Sequence, residues 1–267
     1  MAFGKIAKFV FLNGKIVSKS KAKISVLDSG FLNGLGVYEV WRAFGGKIHL
    51  FEENLAELSQ GLKIMEISFR WNARELETIL LKLLKRNKLI NARIRLTATK
   101  ENVLIELSVL PKTHKQIRAF SVFLKRSNPR VKSIDWLATV FCLRKGDLHR
   151  RSEAILVNSK GEISEGAQSN IFLFKNGKLF TPLENTIHPG AARKWVLQTA
   201  KQLGIPTQES KLNLQAAFRA EEIFTTGSIS GIRAITFFDK HKIGDGKIGK
   251  TTKLLQKEFA NSLTKIP

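Results

Sequence analysis

The sequence predicts an α+β fold organised as two lobes. Tight-turn signals separate short apolar segments, which predicts β-hairpins, and longer segments with apolar residues every three or four positions predict amphipathic helices. Hydrophobic residues make up 43% of the 267-residue chain, as in folded globular proteins. This length accommodates two domains of about 100 to 150 residues. We therefore expect a smaller N-terminal α+β domain over residues 1–112 and a larger C-terminal domain over residues 113–267.

Turn signals divide the N-terminal half into hairpins and two helices. Asn13-Gly14 and Gly45-Gly46 tolerate the positive φ of a tight turn, so each pair predicts a hairpin. The glycine-rich segment 28–36 predicts a turn before a strand. The predicted elements are strands around Phe9–Phe11 and Lys15–Val17, strands Val37–Phe44 and Lys47–Phe51, helices from Glu52 and over Ala73–Leu89, and strands Arg93–Ala98 and Val103–Leu110.

The C-terminal half begins with a segment of mixed pattern, from Thr113 to about Arg130, which predicts the connection between the domains. Asn176-Gly177 predicts another hairpin, and Gly204 predicts the end of a helix. The predicted elements are a helix over Trp136–Arg150, strands at Ala154–Val157 and near Ile163, a hairpin of Asn170–Phe174 and Leu179-Phe180, a helix over Ala191–Leu203, strands Glu222–Thr226 and Ile232–Phe238, and a closing helix over Thr251–Phe259.

The chain is strongly basic, with 45 Lys and Arg against 22 Asp and Glu and a formal net charge of +23. Such an excess attracts polyanions. The basic residues are dispersed, however, and the dense group at Lys82–Lys88 alternates with leucines as on an amphipathic helix with one solvated face. We therefore expect no nucleic-acid partner.

Apolar runs and cysteine usage indicate the compartment. The run Trp136–Leu143 is far shorter than the roughly 18 to 20 residues of a membrane span, and Phe9–Leu12 is too short for the core of a signal peptide. The single cysteine, Cys142, excludes a disulfide framework and fits a reducing compartment. We therefore expect a cytoplasmic protein without a membrane partner.

Metal and nucleotide motifs are weak. The histidines have no ligand spacing, so we expect no metal site; they are His49, His114, His149, His188 and His241. The segment Gly244–Thr251 satisfies the G-x-x-x-x-G-K-[ST] spacing of a phosphate-binding loop. Too few residues follow it to form the later strand that supplies a magnesium-binding aspartate. We interpret it as a glycine-rich loop before the last helix.

Two polar residues next to apolar segments are candidates for chemistry. Lys132 precedes an apolar run, where partial desolvation would lower the pKa of its amine and make it a nucleophile. Glu165 lies in a polar turn that enters an apolar strand, where its carboxylate could accept a hydrogen bond from a bound heterocycle. The alternatives are a lysine that extends its amine to solvent and an ordinary turn acid.

Several motifs in a fixed order give both residues a context. Together they resemble the class IV aminotransferase family, the fold type IV pyridoxal-phosphate enzymes, over about residues 11–259. The motifs are Asp28-Ser-Gly-Phe, Gly34-Leu-Gly-Val-Tyr-Glu, Val131-Lys-Ser-Ile-Asp, Glu153-Ala-Ile-Leu, Ser164-Glu-Gly-Ala-Gln-Ser-Asn-Ile-Phe, Leu179-Phe-Thr-Pro, Pro189-Gly-Ala-Ala-Arg, Ile223-Phe-Thr-Thr-Gly-Ser and Ile243-Gly-Asp-Gly-Lys-Ile-Gly.

The resemblance implies a cofactor, pyridoxal 5′-phosphate, in a cleft between the lobes. Lys132 would form the Schiff base, and Glu165, on the same C-terminal lobe, would pair with the pyridine nitrogen. The remaining implied site residues are Tyr38 as the active-site tyrosine, Ser228 and the backbone amides of Ala191 and Ala192 at the phosphate, and Arg193 directly after that loop.

The chain departs from the family pattern at the phosphate and at the substrate. Glu57 stands where the family has a phosphate-binding arginine, which reverses the charge, and Asn54 and Ala192 replace a histidine and a threonine. Arg42 or Lys63 could substitute for the missing cation. The turn Thr99–Asn102 is shorter than the loop that carries the substrate-carboxylate trap of D-amino acid aminotransferases.

The resemblance implies an aminotransferase that moves an amino group between a small amino acid and a 2-oxo acid. An alternative in the same fold is 4-amino-4-deoxychorismate lyase, which releases pyruvate to leave 4-aminobenzoate. A second alternative is a degenerate, non-catalytic member that acts as a binding protein, because of the charge reversal at Glu57. Family members are homodimers, so we expect a homodimer.

Overall fold

The structure, a computed structural model, describes residues 5–145 and 152–266. The chain forms two compact units. The first contains Met1–Lys112, Val131–Asp135 and Leu263–Pro267, and the second contains Thr113–Arg130 and Trp136–Ser262. Lys132, which the sequence analysis assigns to the C-terminal lobe, thus packs in the first unit; the division at residue 112 into two domains stays a prediction. Within the described residues, each helix is too short or too polar to cross a membrane.

The first unit is built on an antiparallel sheet with the strand order β2-β1-β6-β5-β3-β4. The predicted hairpin turn is present at Asn13 and Gly14, which have φ values of 49° and 100°. Its strands are β1 (Phe9–Leu12), β2 (Lys15–Ser18), β3 (Gly36–Phe44), β4 (Lys47–His49), β5 (Ala92–Thr99) and β6 (Val103–Ser108). Its helices are α1 (Ser29–Asn33), α2 (Phe51–Ile64) and α3 (Ala73–Arg86).

The second unit is built on a mixed sheet with the strand order β12-β11-β10-β14-β15-β7-β8-β9-β13, and β16 pairs with β15. Its strands are β7 (Gln116–Phe123), β8 (Ser152–Val157), β9 (Glu162–Gly166), β10 (Asn170–Lys175), β11 (Lys178–Thr181), β12 (Thr207–Glu209), β13 (Leu212–Asn213), β14 (Glu222–Gly227), β15 (Gly231–Phe238) and β16 (His241–Lys242). Its helices are α4 (Leu137–Lys145), α5 (Ala191–Gln202), α6 (Leu214–Phe218) and α7 (Lys250–Thr264).

Three sequence predictions differ from these elements. The mixed segment predicted as a connection contains β7, which pairs in parallel with β8 and β15. The predicted turn at 28–36 contains α1, because the Asp28 side chain accepts a hydrogen bond from Phe31 N and caps a short helix. The helix predicted over Trp136–Arg150 is described only as α4, and residues 146–150 lie outside the described part of the chain.

The backbone amides that follow the glycine-rich loop, at the start of α7, already have a hydrogen-bond acceptor. The Glu222 carboxylate accepts hydrogen bonds from the backbone N–H groups of Thr251 and Thr252, at 3.0 and 2.7 Å, and from the Thr252 hydroxyl. A nucleotide phosphate would need these same amides. Glu222 therefore occupies the backbone amides at the start of α7 that a phosphate would need.

Helices α2 and α3 cover the sheet of the first unit. Trp41 and Ile94 from the sheet and Leu58, Leu76 and Leu80 from the helices are buried in one core. Helix α2 runs close to β3, since a Cβ placed on Gly61 would lie 3.5 Å from Val37 Cγ1. This close packing brings the polar residues of α2 to the face of β3 on which Val37 and Trp41 lie.

Candidate active site

Lys132 reaches the first unit because its segment pairs with the start of β3. Tyr38 N donates to the Lys132 carbonyl at 2.8 Å, and Ile134 N donates to the Gly36 carbonyl at 3.1 Å. A Cβ on Gly36 would lie 2.8 Å from Ala98 O, so only glycine fits this approach. The backbone of β3 thus fixes the backbone of Lys132.

The Lys132 amine lies between two carboxylates. Its Nζ is 2.6 Å from Glu39 Oε1 on β3 and 3.0 Å from Glu57 Oε2 on α2. Both acids are buried, whereas the lysine side chain is 24% exposed. Burial disfavours the charged amine, but the two carboxylates outweigh this effect and hold the pKa of Lys132 above its usual range.

The predicted lowering of the Lys132 pKa is therefore wrong. Desolvation alone would lower this pKa, but in the folded chain two negatively charged carboxylates lie within 3.0 Å of Lys132 Nζ. Glu57 was noted only as a departure in the phosphate site, and Glu39 was not identified as a site residue. Without an aldehyde, Lys132 is held as an ammonium.

Tyr38 and Glu39 project from opposite faces of β3, because successive strand residues alternate. The Tyr38 ring lies on the face shared with Arg95, whose guanidinium carbon is 4.4 Å from the ring centroid. Arg95 also donates from Nε to Thr97 Oγ1 at 3.2 Å. The predicted catalytic role of Tyr38 stays a prediction.

Glu165 lies at the end of β9 in the second unit and is 4% exposed. Its Oε1 is 2.8 Å from Arg126 Nε, and its Oε2 accepts a hydrogen bond from His188 N at 3.1 Å. Burial raises the pKa of the Glu165 carboxyl, and the Arg126 guanidinium and the hydrogen bond from His188 offset only part of this. Arg126, which the sequence analysis missed, is thus the cation that stabilises the buried carboxylate.

The first turn of α5 contains Ala191 and Ala192, whose amides are predicted to bind phosphate. The helix starts after Gly190, which has a φ of 70°, and no side chain caps it. The first N–H groups of a helix have no acceptor within the helix, and the helix dipole makes this end positive. These amides can therefore bind an anionic group.

Hydrogen bonds place the start of α5 near Glu165 and the Ser228 turn. His188, just before α5, donates its N–H to Glu165, and its carbonyl accepts from Asn170 Nδ2 at 2.7 Å. Asn170 is also the register partner of Thr226, two residues before Ser228. These contacts link the segment before α5 to Glu165 and to strand β14 within the second unit; the cofactor-binding roles of Glu165, Ala191, Ala192 and Ser228 stay predictions.

The Arg193 side chain forms ion pairs and a hydrogen bond within the second unit. It is fully buried, and its guanidinium lies 3.0 Å from Glu209 Oε1 and 3.4 Å from Glu184 Oε2. It also donates to the Pro182 carbonyl at 3.2 Å. The guanidinium is therefore a structural anchor, and the role of Arg193 in cofactor binding stays a prediction.

The short turn between β5 and β6 is fastened to α1. The Asp28 carboxylate accepts hydrogen bonds from Thr99 Oγ1 and Asn102 Nδ2, at 2.6 and 2.7 Å, and Glu101 accepts from the backbone and hydroxyl of Ser29. The side chains of Thr99, Glu101 and Asn102 are thus occupied within the unit, whereas Lys100 is exposed. Among the described residues there is no group of three or more side chains suited to hold a metal ion.

Comparisons with known proteins cover most of the chain. The family model described as amino-transferase class IV matches residues 36–237. A protein of Methanocaldococcus jannaschii, named as a candidate branched-chain-amino-acid aminotransferase, is 32% identical over 96% of each chain. The aminodeoxychorismate lyase of Bacillus subtilis is 29% identical over 95% of this chain and 96% of its own.

Solved structures are similar as well. The branched-chain amino acid aminotransferase of Escherichia coli superposes with a TM-score of 0.88 at 25% identity and covers 96% of this chain and 94% of that chain. This likeness confirms the predicted α+β fold class. The matched segment 36–237 contains each of the predicted site residues.

Proposed function

Because the chain belongs to the class IV aminotransferase family, whose enzymes depend on pyridoxal phosphate, we propose that it transfers an amino group between a small amino acid and a 2-oxo acid through Lys132. The observation that carries this proposal is the position of Lys132. Its amine is partly exposed and is held by carboxylates from two other elements. A surface lysine that only extends to solvent would have no such partners.

Three groups of the chain, each considered within its own unit, have the chemistry that pyridoxal phosphate requires. Lys132 supplies an amine for the aldehyde, and Glu165 supplies a buried carboxylate for the ring nitrogen. The uncapped start of α5 supplies backbone amides for the phosphate. When bound, the cofactor acts as an electron sink for charge that develops at the substrate Cα.

The protein's own residues would then position and move protons. The Lys132 Nζ would carry the proton between the substrate Cα and the cofactor C4′. The Glu165 carboxylate would hold a proton at the ring nitrogen, and the Arg126 guanidinium, whose Nε is 2.8 Å from Glu165 Oε1, would favour the charged form of that carboxylate. The amides of Ala191 and Ala192 would bind the phosphate.

A second candidate function is aminodeoxychorismate lyase. The short turn between β5 and β6 favours it, because the side chains of Thr99, Glu101 and Asn102 are bound to the α1 region. They are therefore not available to bind the carboxylate of a small amino acid, and the exposed Lys100 supplies a single charge without the planar fork of an arginine. The Bacillus subtilis lyase is also among the similar proteins.

We expect borohydride to attach added pyridoxal phosphate covalently to Lys132. Peptide mass spectrometry would locate the label, and Lys132→Ala would abolish it, whereas Lys82→Ala, on the exposed face of α3, would not. A separate, unreduced sample of the wild-type protein with added pyridoxal phosphate should then be assayed with amino acid and 2-oxo acid pairs.

Three outcomes would contradict this proposal in different ways. A protein that takes up no cofactor would support the non-catalytic alternative. Label distributed over many surface lysines would contradict the assignment of Lys132 as the Schiff-base lysine. Pyruvate and 4-aminobenzoate released from aminodeoxychorismate without an amino acceptor would favour the lyase.

We further propose that a second copy of the chain covers an apolar surface around α1, in line with the homodimers of the family it resembles. Large exposed apolar side chains on monomers usually mark interaction sites when they cluster. Within residues 24–35 they are Ile24, Val26, Leu27, Phe31, Leu32 and Leu35, and Leu27 is 74% exposed.

Light scattering should give twice the mass of one chain for the wild-type protein. The double variant Leu27→Ser and Phe31→Ser should give the monomer mass, because it removes two of the most exposed apolar side chains of this surface. Leu81→Ser, which changes an exposed leucine on α3, should leave the dimer intact. A wild-type monomer, or a dimer that survives the double variant, would contradict the assignment.

The cytoplasmic location stays a proposal. It depends on cysteine usage, because a chain with a single cysteine, the buried Cys142, has no disulfide framework and suits a reducing compartment. Cell fractionation would test it, and recovery outside the cytoplasmic fraction would contradict it.

A further inference from the structure

Glu57 is placed to act on Lys132. It lies on the face of α2 that packs against β3, one turn before Gly61, whose close approach to Val37 brings the helix near the strand. Its side chain is 2% exposed, and Oε2 lies 3.0 Å from Lys132 Nζ. At this distance a charged hydrogen bond forms directly.

The three side chains form one charge cluster. Glu39 acts on the amine from β3 and Glu57 acts on it from α2, so a single ammonium lies between two buried carboxylates. Two buried carboxylates that share a site repel each other unless a cation lies between them. Loss of the lysine proton would leave both acids without that cation, so the cluster favours the charged amine.

A charged amine cannot react with an aldehyde. The nitrogen must first release one proton to solvent, which frees its lone pair. The neutral amine then forms a C=N bond with the aldehyde carbon, and the aldehyde oxygen leaves as one water molecule. Any group that stabilises the ammonium therefore slows capture of the aldehyde at neutral pH.

We propose that Glu57 is a positioning residue that, together with Glu39, clamps Lys132 in its charged form, so that capture of the cofactor aldehyde depends on pH and on release of this clamp. The proposal rests on the proposed function of Lys132. It assigns Glu57 a role towards the lysine in addition to any repulsion of the phosphate. The carboxylates hold the pKa of Lys132 above its usual range, which agrees with this assignment.

The test compares two aldehydes that differ only in the phosphate. Full-length wild-type protein and Glu57→Gln are mixed with pyridoxal phosphate or with pyridoxal between pH 6 and pH 10. Borohydride then fixes the product, and mass spectrometry gives the rate of labelling at Lys132. Glu52→Gln is the matched control, because it makes the same change at an exposed position of α2.

We expect Glu57→Gln to label Lys132 about ten- to a thousandfold faster near pH 7 with both aldehydes, since one opposite charge shifts a pKa by roughly 1 to 3 units. The pH profile of labelling should move to lower pH, and Glu52→Gln should behave as wild type. Glu39→Gln should move the profile in the same direction, which keeps the proposal testable if Glu57→Gln does not fold.

Faster labelling with pyridoxal phosphate alone would overturn the clamp, because Glu57 would then act only by repelling the phosphate. An unchanged profile with both aldehydes would also overturn it. A different failure belongs to the proposed function: Lys132 would remain unlabelled in each variant even at pH 10, while other lysines react.

Discussion

Glu165→Gln should lower the turnover number about a thousandfold, within the 10²- to 10⁴-fold range of positioned acid and base groups. Glutamine has nearly the same shape but carries no negative charge. It therefore cannot hold a proton at the ring nitrogen of a bound cofactor. The KM for the amino acid should change much less, because Glu165 acts on the cofactor.

The environment of Glu165 makes this substitution informative. Its carboxylate is buried, forms an ion pair with Arg126 and accepts a hydrogen bond from His188 N, so the loss of charge is not compensated by water. The matched control is Glu162→Gln on the same strand, because the Glu162 carboxylate contacts Asn158 and an exposed Lys211. Steady-state kinetics would check the prediction, and equal turnover in the wild type and Glu165→Gln would remove Glu165 from the reaction.

Arg193→Met should lower the free energy of unfolding by about 3 kcal/mol, because hydrogen bonds to charged groups contribute roughly 1.5 to 3 kcal/mol each. The guanidinium is fully buried and contacts Glu209, Glu184 and the Pro182 carbonyl. Methionine fills part of its volume but donates no hydrogen bond. The two glutamates are partly exposed, so water can solvate them, which limits the loss.

Urea denaturation, followed by a signal from the second unit, would measure the change in the free energy of unfolding. Lys201→Met, on the exposed face of α5, is the control. The measurement also separates two roles of Arg193. If Arg193 is a structural anchor, its replacement lowers the free energy of unfolding. A phosphate-binding side chain would instead leave stability unchanged and weaken uptake of pyridoxal phosphate, which would contradict the observed geometry.

Local sequence signals predicted much of the fold. Asn13-Gly14 and Asn176-Gly177 gave correct hairpins because their conformational preference is a local property, and the structure places all four residues at positive φ. Strand β7 was missed because pairing in parallel with β8 and β15 stabilises it, and this pairing joins distant segments. Nothing in the spacing of its own residues indicates such partners.

Candidate site residues were predicted where a sequence motif contains them, and their partners were missed where only contacts in the folded chain reveal them. Lys132 and Glu165 belong to recognisable motifs, so the resemblance predicts their roles. Glu39 lies 93 residues from Lys132 along the chain, and Arg126 pairs with Glu165 from another strand region. No local pattern joins such pairs, so each was visible only after folding.

The amino-acid sequence by itself determined the family, the fold class and the hairpin turns, and it predicts Lys132 as the amine and Glu165 as the ring carboxylate. Only the tertiary structure decided the charge state of that amine, because it depends on how closely α2 and β3 bring Glu57 and Glu39 to Lys132. It also decided that Arg193 is an anchor within its own unit. The physical reason is that the interaction of two charges depends on their distance and burial, which are properties of the folded chain.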